Sequence, residues 1–268
     1  MTEPKQGSER DPSSIERLLA IMARLRDAER GCEWDVAQTF ATIAPYTIEE
    51  AYEVADAIAR DDLDDLRGEL GDLLLQVVFH SRIAEEAGHF SFDDVARAIA
   101  DKMVARHPHV FGAPDADTPV GSGKRWEDIK AQERSASGAT SAMDGVARAL
   151  PALMRAEKLQ KRAAREGFDW PDAEGPAAKL VEETDELRQA DPAHRLEEAG
   201  DLLFAAVNLV RAYGVSAEDA LRAANDKFAA RFRAMESLAG GSISGRDLDE
   251  QEALWQQVKR AEARRDEP

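Results

Sequence analysis

The sequence predicts an all-α protein built as a tandem repeat of two helical-bundle domains. Three observations predict it. Apolar residues recur at helical spacing almost throughout, no segment alternates as a strand would, and five short motifs occur twice in the same order. Ile48, Ala51, Tyr52, Ala55, Ile58 and Ala59 fall at i, i+3, i+4, i+7 and so on, as do Leu66, Leu70, Leu73, Leu74 and Val77.

The helices are separated by turn signals. Breaks are expected at Pro45, at Gly88, at His107-Pro108, in the Gly-, Pro- and Asp-rich run 113–124 and at Gly240-Gly241-Ser242. The small, polar segment 135–145 (SASGATSAMDG) reads as an interdomain linker. The organisation expected is a disordered start over 1–14, a first domain over 15–134, a linker over 135–148 and a second domain over 149–262.

The repeat is legible motif by motif. Gly31-Cys32-Glu33-Trp34 resembles Gly167-Phe168-Asp169-Trp170, and Glu49-Glu50-Ala51-Tyr52-Glu53 resembles Glu182-Glu183-Thr184-Asp185-Glu186. Glu69-Leu70-Gly71-Asp72 resembles Glu198-Ala199-Gly200-Asp201, Asp101-Lys102 with Arg106 resembles Asp226-Lys227 with Arg231, and Trp126 pairs with Trp255. The offsets run only from 125 residues (Asp101 to Asp226) to 136 (Gly31 to Gly167). Duplication of one helical unit explains that regularity.

Composition narrows the function. The 268 residues suit two domains of about 130 each. No run of about 18 apolar residues exists to span a membrane, and the polar start lacks an apolar signal core, so a cytoplasmic protein is expected. The formal charge of −18, from 53 acidic and 35 basic residues, opposes a phosphate backbone and argues against nucleic acid as a partner. A single cysteine, Cys32, excludes an intrachain disulfide and a cysteine-based metal site, and reads as a small, partly buried residue.

The acids carry the chemistry. Each copy has EExxE followed by ExxD. Residues three or four apart share a helix face, so Glu183 and Glu186 project together, as do Glu198 and Asp201 from the next helix. Eleven residues lie between Glu186 and Glu198, so a short turn should fold the helices antiparallel and gather four carboxylates. Four negative charges in one pocket repel unless a cation compensates them. With oxygen ligands and no His or Cys in either motif, Mg²⁺ or Mn²⁺ is the expected ion, ahead of zinc, copper or a di-iron centre. The equivalent ligands in the first half are Glu50, Glu53, Glu69 and Asp72.

An acidic magnesium site suits a phosphate substrate, and such a site needs cations from the protein. Lys227 and Arg231 lie at i, i+4, with Lys102 and Arg106 at the matching places; Lys179 lies one turn before Glu183, where the first copy has Tyr46. Phe168, Trp170, Phe228 and Trp255 are either stacking partners for a base or helix-core residues. Gly121-Ser122-Gly123-Lys124-Arg125 departs from a phosphate loop, because Thr118 and Arg125 hold the places of its first Gly and its Ser or Thr. His107 and His109 flank a proline and read as loop or capping residues.

These residues together resemble the MazG nucleoside triphosphate pyrophosphohydrolases over roughly residues 15 to 262. The resemblance is carried by Gly31 to Asp35, the run Gln38 to Tyr46, both EExxE…ExxD pairs, Arg106 to Phe111, Gly167 to Trp170 and Trp255 to Lys259. It implies an all-α homodimer that uses Mg²⁺ to cleave nucleoside triphosphates between the α and β phosphates. It implies metal ligation by Glu183, Glu186, Glu198 and Asp201, and substrate contacts from Lys179, Leu180, Val181, Glu182 and Glu183, from Lys227, Phe228, Ala229, Ala230 and Arg231, and from Trp255. The expected mechanism has Glu182 orient or deprotonate a water while Lys227 and Arg231 offset charge on the leaving pyrophosphate. The second half is the expected catalytic one. The alternative is a nucleotide-sensing dimer that binds without hydrolysis.

Overall fold

The computed structural model describes residues 13–111, 138 and 140–264, and every regular element among them is an α-helix. The chain divides into two compact units, Met1–Trp126 and Glu127–Pro268. The expected boundary at 135–148 falls inside the second unit. Of the expected disordered start, residues 1–12 lie outside the described residues, whereas Ser13 and Ser14 are the N-cap and first residue of a helix. The run 113–124, the loop around Gly121-Ser122-Gly123 and Trp126 also lie outside them.

In the first unit, α1 (Ser14–Leu25), α2 (Glu33–Ala37), α3 (Phe40–Ala59), α4 (Leu63–Glu86), α5 (Phe92–Arg106) and α6 (Pro108–Phe111) follow in order. The ends have local causes. Ser13 with Glu16 and Ser91 with Asp94 form reciprocal caps, which satisfy donors that a helix start leaves unpaired. Thr39 and Thr42 cap α3 in the same way. That cap starts the helix early enough to hold Pro45 in its second turn, so the break expected at Pro45 does not occur; α3 forgoes one backbone hydrogen bond instead.

Only Arg60, Asp61 and Asp62 join α3 to α4, so α4 must fold back along α3. Asp61 takes the left-handed conformation (φ 54°), which aspartate tolerates better than most residues. Asp62 caps α4 by accepting from the Asp65 amide at 3.0 Å. The Arg60 guanidinium ties Asp56 (2.8 Å), Asp62 (3.2 Å) and Asp65 together across the turn. Met22, Ile43, Val78, Phe79 and Ile83 form the core between α1, α3 and α4. Cys32, expected to be partly buried, is exposed at the start of α2.

In the second unit, α7 (Ala152–Arg165), α8 (Glu174–Gln189), α9 (Arg195–Ala212), α10 (Ala217–Ala239) and α11 (Leu248–Ala263) follow. α8 and α9 pair as a hairpin, α7 packs on α9 and α10, and α10 pairs with α11. Gly240 closes α10 in the left-handed conformation (φ 76°), a cap that glycine adopts without a Cβ penalty. Met235, Ile243 and Val258 are buried between α10 and α11. The described part of the expected linker is pinned down: Arg162 on α7 donates to the carbonyls of Ala142 (2.9 Å) and Asp144. No helix among the described residues is long and apolar enough to cross a membrane.

Candidate active site

The α8–α9 hairpin brings acids from two helices together. One carboxylate oxygen from each of Glu183, Glu186 and Glu198 lies within 4.8 Å of the others. Glu183 is buried, Glu198 half-buried and Glu186 exposed. Lys179, one turn earlier on α8, places its Nζ 2.6 Å from Glu183 Oε1 and 2.9 Å from Glu182 Oε1. Those two carboxylates hold the Lys179 ammonium charged well above its usual range. The other oxygen, Glu183 Oε2, is buried with no hydrogen-bond partner. A buried carboxylate oxygen without a donor is costly unless a cation meets it. Desolvation, followed by repulsion from Glu183, raises the Glu186 carboxyl. An oxygen-only donor set with an orphaned buried oxygen fits a hard divalent cation.

Asp201, the fourth expected ligand, lies outside the close trio but shares a cleft with Glu183 and Lys179. This cleft, of about 770 Å³, runs between α7, α8 and α9. Leu159, Ala163, Phe168, Trp170, Phe204 and Ala205 supply its apolar walls. Trp170 is positioned by Gly175: a Cβ there would stand 2.0 Å from Trp170 Cδ1, so only glycine lets the indole lie against the start of α8.

Three polar residues of the same wall carried no motif. Arg211 on α9 donates to both oxygens of Asp169 (3.0 and 2.6 Å) and to Asn208 Oδ1 (2.6 Å from its terminal nitrogen). These bonds hold the Asp169 carboxyl below the usual carboxylate range. Asp169 and Arg211 are 42 residues apart, so no local spacing links them. Asn208 did leave a signal, as an amide inside the apolar run Leu202 to Val210. Gln160, buried on α7, left none.

The other expected substrate contacts lie elsewhere. Lys227, Phe228, Ala229, Ala230 and Arg231 are on α10 and Trp255 is on α11, and none of them lines the cleft. Phe228 packs 5.6 Å from Trp255, centroid to centroid, and Arg231 lies over Trp255 while pairing with Glu262 at 2.7 Å. Leu180 and Val181 sit on α8 beside the cluster, Val181 with its side chain exposed.

The first unit also brings acids from two helices together, but its close trio differs: Asp72 is inside it and Glu53, the fourth expected ligand, lies outside. Oxygens of Glu50, Glu69 and Asp72 lie within 4.8 Å of one another. Desolvation and the charges of Asp72 and Glu53 raise Glu50; desolvation and Glu53 raise Glu69. Among the described residues no lysine pairs with this cluster. Gln76 Nε2 lies 3.5 Å from Glu50, and Tyr46, at the place of Lys179, packs edge-on to Trp34 at 6.4 Å.

Paired helices that converge on an acidic cluster define an all-α protein with a centre able to hold a metal ion. Comparison with known proteins supplies the family. The profile of the MazG nucleotide pyrophosphohydrolase domain matches residues 38–111, which include Glu50, Glu53, Glu69 and Asp72. The chain is 55% identical over 259 residues to the nucleoside triphosphate pyrophosphohydrolase of Escherichia coli, covering 93% of this chain and 98% of that protein. It is 45% identical over 249 residues to the nucleoside triphosphate pyrophosphohydrolase/pyrophosphatase MazG of Thermotoga maritima (91% and 95%). It is 39% identical over 160 residues to the Mycolicibacterium smegmatis nucleoside triphosphate pyrophosphohydrolase (59% and 49%). The chain belongs to the MazG nucleotide pyrophosphohydrolase family.

Proposed function

We propose that the protein hydrolyses ribo- and deoxyribonucleoside triphosphates to the monophosphate and pyrophosphate, with the chemistry in the second unit. The observation that carries this reading is the convergence of Glu183, Glu186 and Glu198, with the orphaned Glu183 Oε2, beside a cleft large enough for a nucleotide. Relatives of nearly the same length bear the name of that activity.

Glu183, Glu186, Glu198 and Asp201 would hold Mg²⁺, or Mn²⁺ in its place. When bound, the cation supplies charge neutralisation and Lewis acidity toward phosphate oxygens. Lys179 keeps a full positive charge at the same wall and offsets phosphate charge there. Glu182 accepts a hydrogen bond from Lys179 and is otherwise exposed, which leaves its second oxygen to orient a water or take its proton. Arg231 is engaged by Glu262, so the roles proposed for Lys227, Phe228, Arg231 and Trp255 rest on the family resemblance rather than on proximity to the acids.

We further read the chain as a tandem duplication, since each unit places EExxE and ExxD on a helix hairpin. The homodimer is proposed on the resemblance, with exposed apolar residues of the hairpins (Ile48, Tyr52, Leu70 and Leu203) as the packing surface. The first unit, with tyrosine in place of the lysine, is assigned binding or scaffolding.

The test is pyrophosphate release from a panel of triphosphates with Mg²⁺, comparing intact protein with Asp72→Asn and Asp201→Asn. Loss confined to Asp201→Asn supports the assignment. Equal loss in both means two working sites or a shared one. No release from the intact protein sinks the enzymatic reading in favour of nucleotide sensing.

A further inference from the structure

Two buried side-chain atoms that line the cleft have no hydrogen-bond partner, Glu183 Oε2 and Gln160 Oε1. The first belongs to the acidic cluster. The second has no place in the chemistry derived so far. Gln160 is only 5% exposed, on the inner face of α7. Its Nε2 donates 2.8 Å to the backbone carbonyl of Phe204 on α9. A carbonyl oxygen can only accept, so this bond fixes the amide: the nitrogen faces α9 and the oxygen is left over. An unmet buried acceptor is a standing cost, relieved by any ligand that brings a donor.

The neighbouring amide differs. Asn208 Oδ1 already accepts twice from Arg211 (3.2 and 2.6 Å), and Arg211 is balanced by Asp169. Gln160 is therefore the acceptor of this wall that awaits a partner. The lining is largely aromatic and aliphatic, with Phe168, Trp170 and Phe204; of its charged residues Asp169 and Arg211 satisfy each other, which leaves Lys179, Glu183 and Asp201 to meet a charged group of a ligand. A ligand that meets both sets has a polyanionic end and a flat apolar end carrying an N–H group.

We propose that Gln160 is a specificity-determining residue that accepts a hydrogen bond from an N–H of the nucleobase held in this cleft. The proposal rests on the reading of the cleft as a nucleoside triphosphate site. It names an acceptor as the selecting group. Every common base presents an N–H donor, so an acceptor admits purines and pyrimidines alike and rejects bases whose donors are blocked. Loss of a partner for a buried polar group discriminates more strongly than a change of apolar volume.

The test uses uracil, whose N3–H is the only base N–H once the ring is joined to ribose. Steady-state hydrolysis of UTP and N3-methyl-UTP is compared for the full chain, for Gln160→Leu and for Gln160→Met. Binding of UMP and N3-methyl-UMP is measured in parallel by calorimetry. The intact protein should prefer the unmethylated nucleotide by about tenfold or more in KM and in Kd, equivalent to about 1.4 kcal/mol, with kcat little changed. Both variants should lose that preference through a rise in KM and Kd for the unmethylated nucleotide. Equal handling of the two nucleotides by the intact protein overturns the proposal. So does a preference that persists in the variants, because the methyl group is then excluded by size. If UMP binds with the expected preference but no triphosphate is hydrolysed, the enzymatic reading fails and the role of Gln160 stands. If no nucleotide binds, both fail.

Discussion

Lys179 closes on Glu183 across one turn of α8, with Nζ 2.6 Å from Oε1, while the opposite oxygen of the same carboxylate is buried without a donor. One oxygen is neutralised by the protein and the other is left for a cation. Replacing Lys179 with methionine removes the internal counter-charge. The metal-free variant should melt below the parent, and Mg²⁺ should raise its Tm by more than it raises the parent's. Melting curves with and without MgCl₂ check this; an unchanged Mg²⁺ increment would show that Lys179 is not linked to the ion.

The second-unit cluster predicts a metal-dependent stability. A ligand that binds only the folded state stabilises it by about 2.7 kcal/mol at a hundred times its Kd. Glu183→Gln should lose most of the second unit's share of that gain and nearly all pyrophosphate release. Glu50→Gln should lose only the first unit's share and keep most of the release. Chelation of the intact protein with EDTA should mimic both losses together, and restored Mg²⁺ should reverse them.

Gly175 predicts an overpacking effect. An alanine Cβ would sit 2.0 Å from Trp170 Cδ1, far inside any allowed contact, so the indole must move out of the cleft wall. Gly175→Ala should cost about 1–3 kcal/mol of stability, shift tryptophan fluorescence and raise KM for triphosphates. Unaltered KM with a displaced Trp170 would show that the indole does not touch substrate.

The Asp169–Arg211 pair predicts a pH dependence. Hydrogen bonds from Arg211 hold the Asp169 carboxyl below its ordinary value, so its folded-state pKa lies under the unfolded one. Such a group binds fewer protons in the folded state. Its contribution, about 1 kcal/mol for a pair at the protein surface, is present above about pH 4 and disappears as pH falls through the folded value. Thermal melts of parent and Asp169→Asn should differ most at neutral pH and converge as pH falls below about 4. Glu86 behaves alike in the first unit: burial alone would raise it, but Arg26 (2.7 Å) and Arg82 hold it down.

Local patterns made much of the molecule legible. Helical spacing marks α3, α4, α8 and α9, and the doublets Glu183/Glu186 and Glu198/Asp201 share helix faces whatever their surroundings. The hairpin that joins them also follows from chain length, because eleven residues cannot carry the chain far from Glu186 before Glu198. Pro45 defies the same local rules. A break is the usual consequence of proline, yet the Thr39–Thr42 cap and packing of Ile43 into the core outweigh one missing hydrogen bond.

What spacing along one helix cannot encode is distance between helices. That Gln160 would lend its nitrogen to Phe204, 44 residues on, and leave its oxygen bare follows from how α7 packs on α9. That Arg211 would reach back to Asp169, 42 residues earlier, is likewise a matter of contact between segments far apart in number. Lys227 and Arg231 show the converse: their i, i+4 pattern is as regular as that of the acids, but their helix packs against α11, where Arg231 finds Glu262. Periodicity assigns a side chain to a face. Which face meets which is settled by burial of apolar area across the whole unit, and that sum has no signature in any single stretch of sequence.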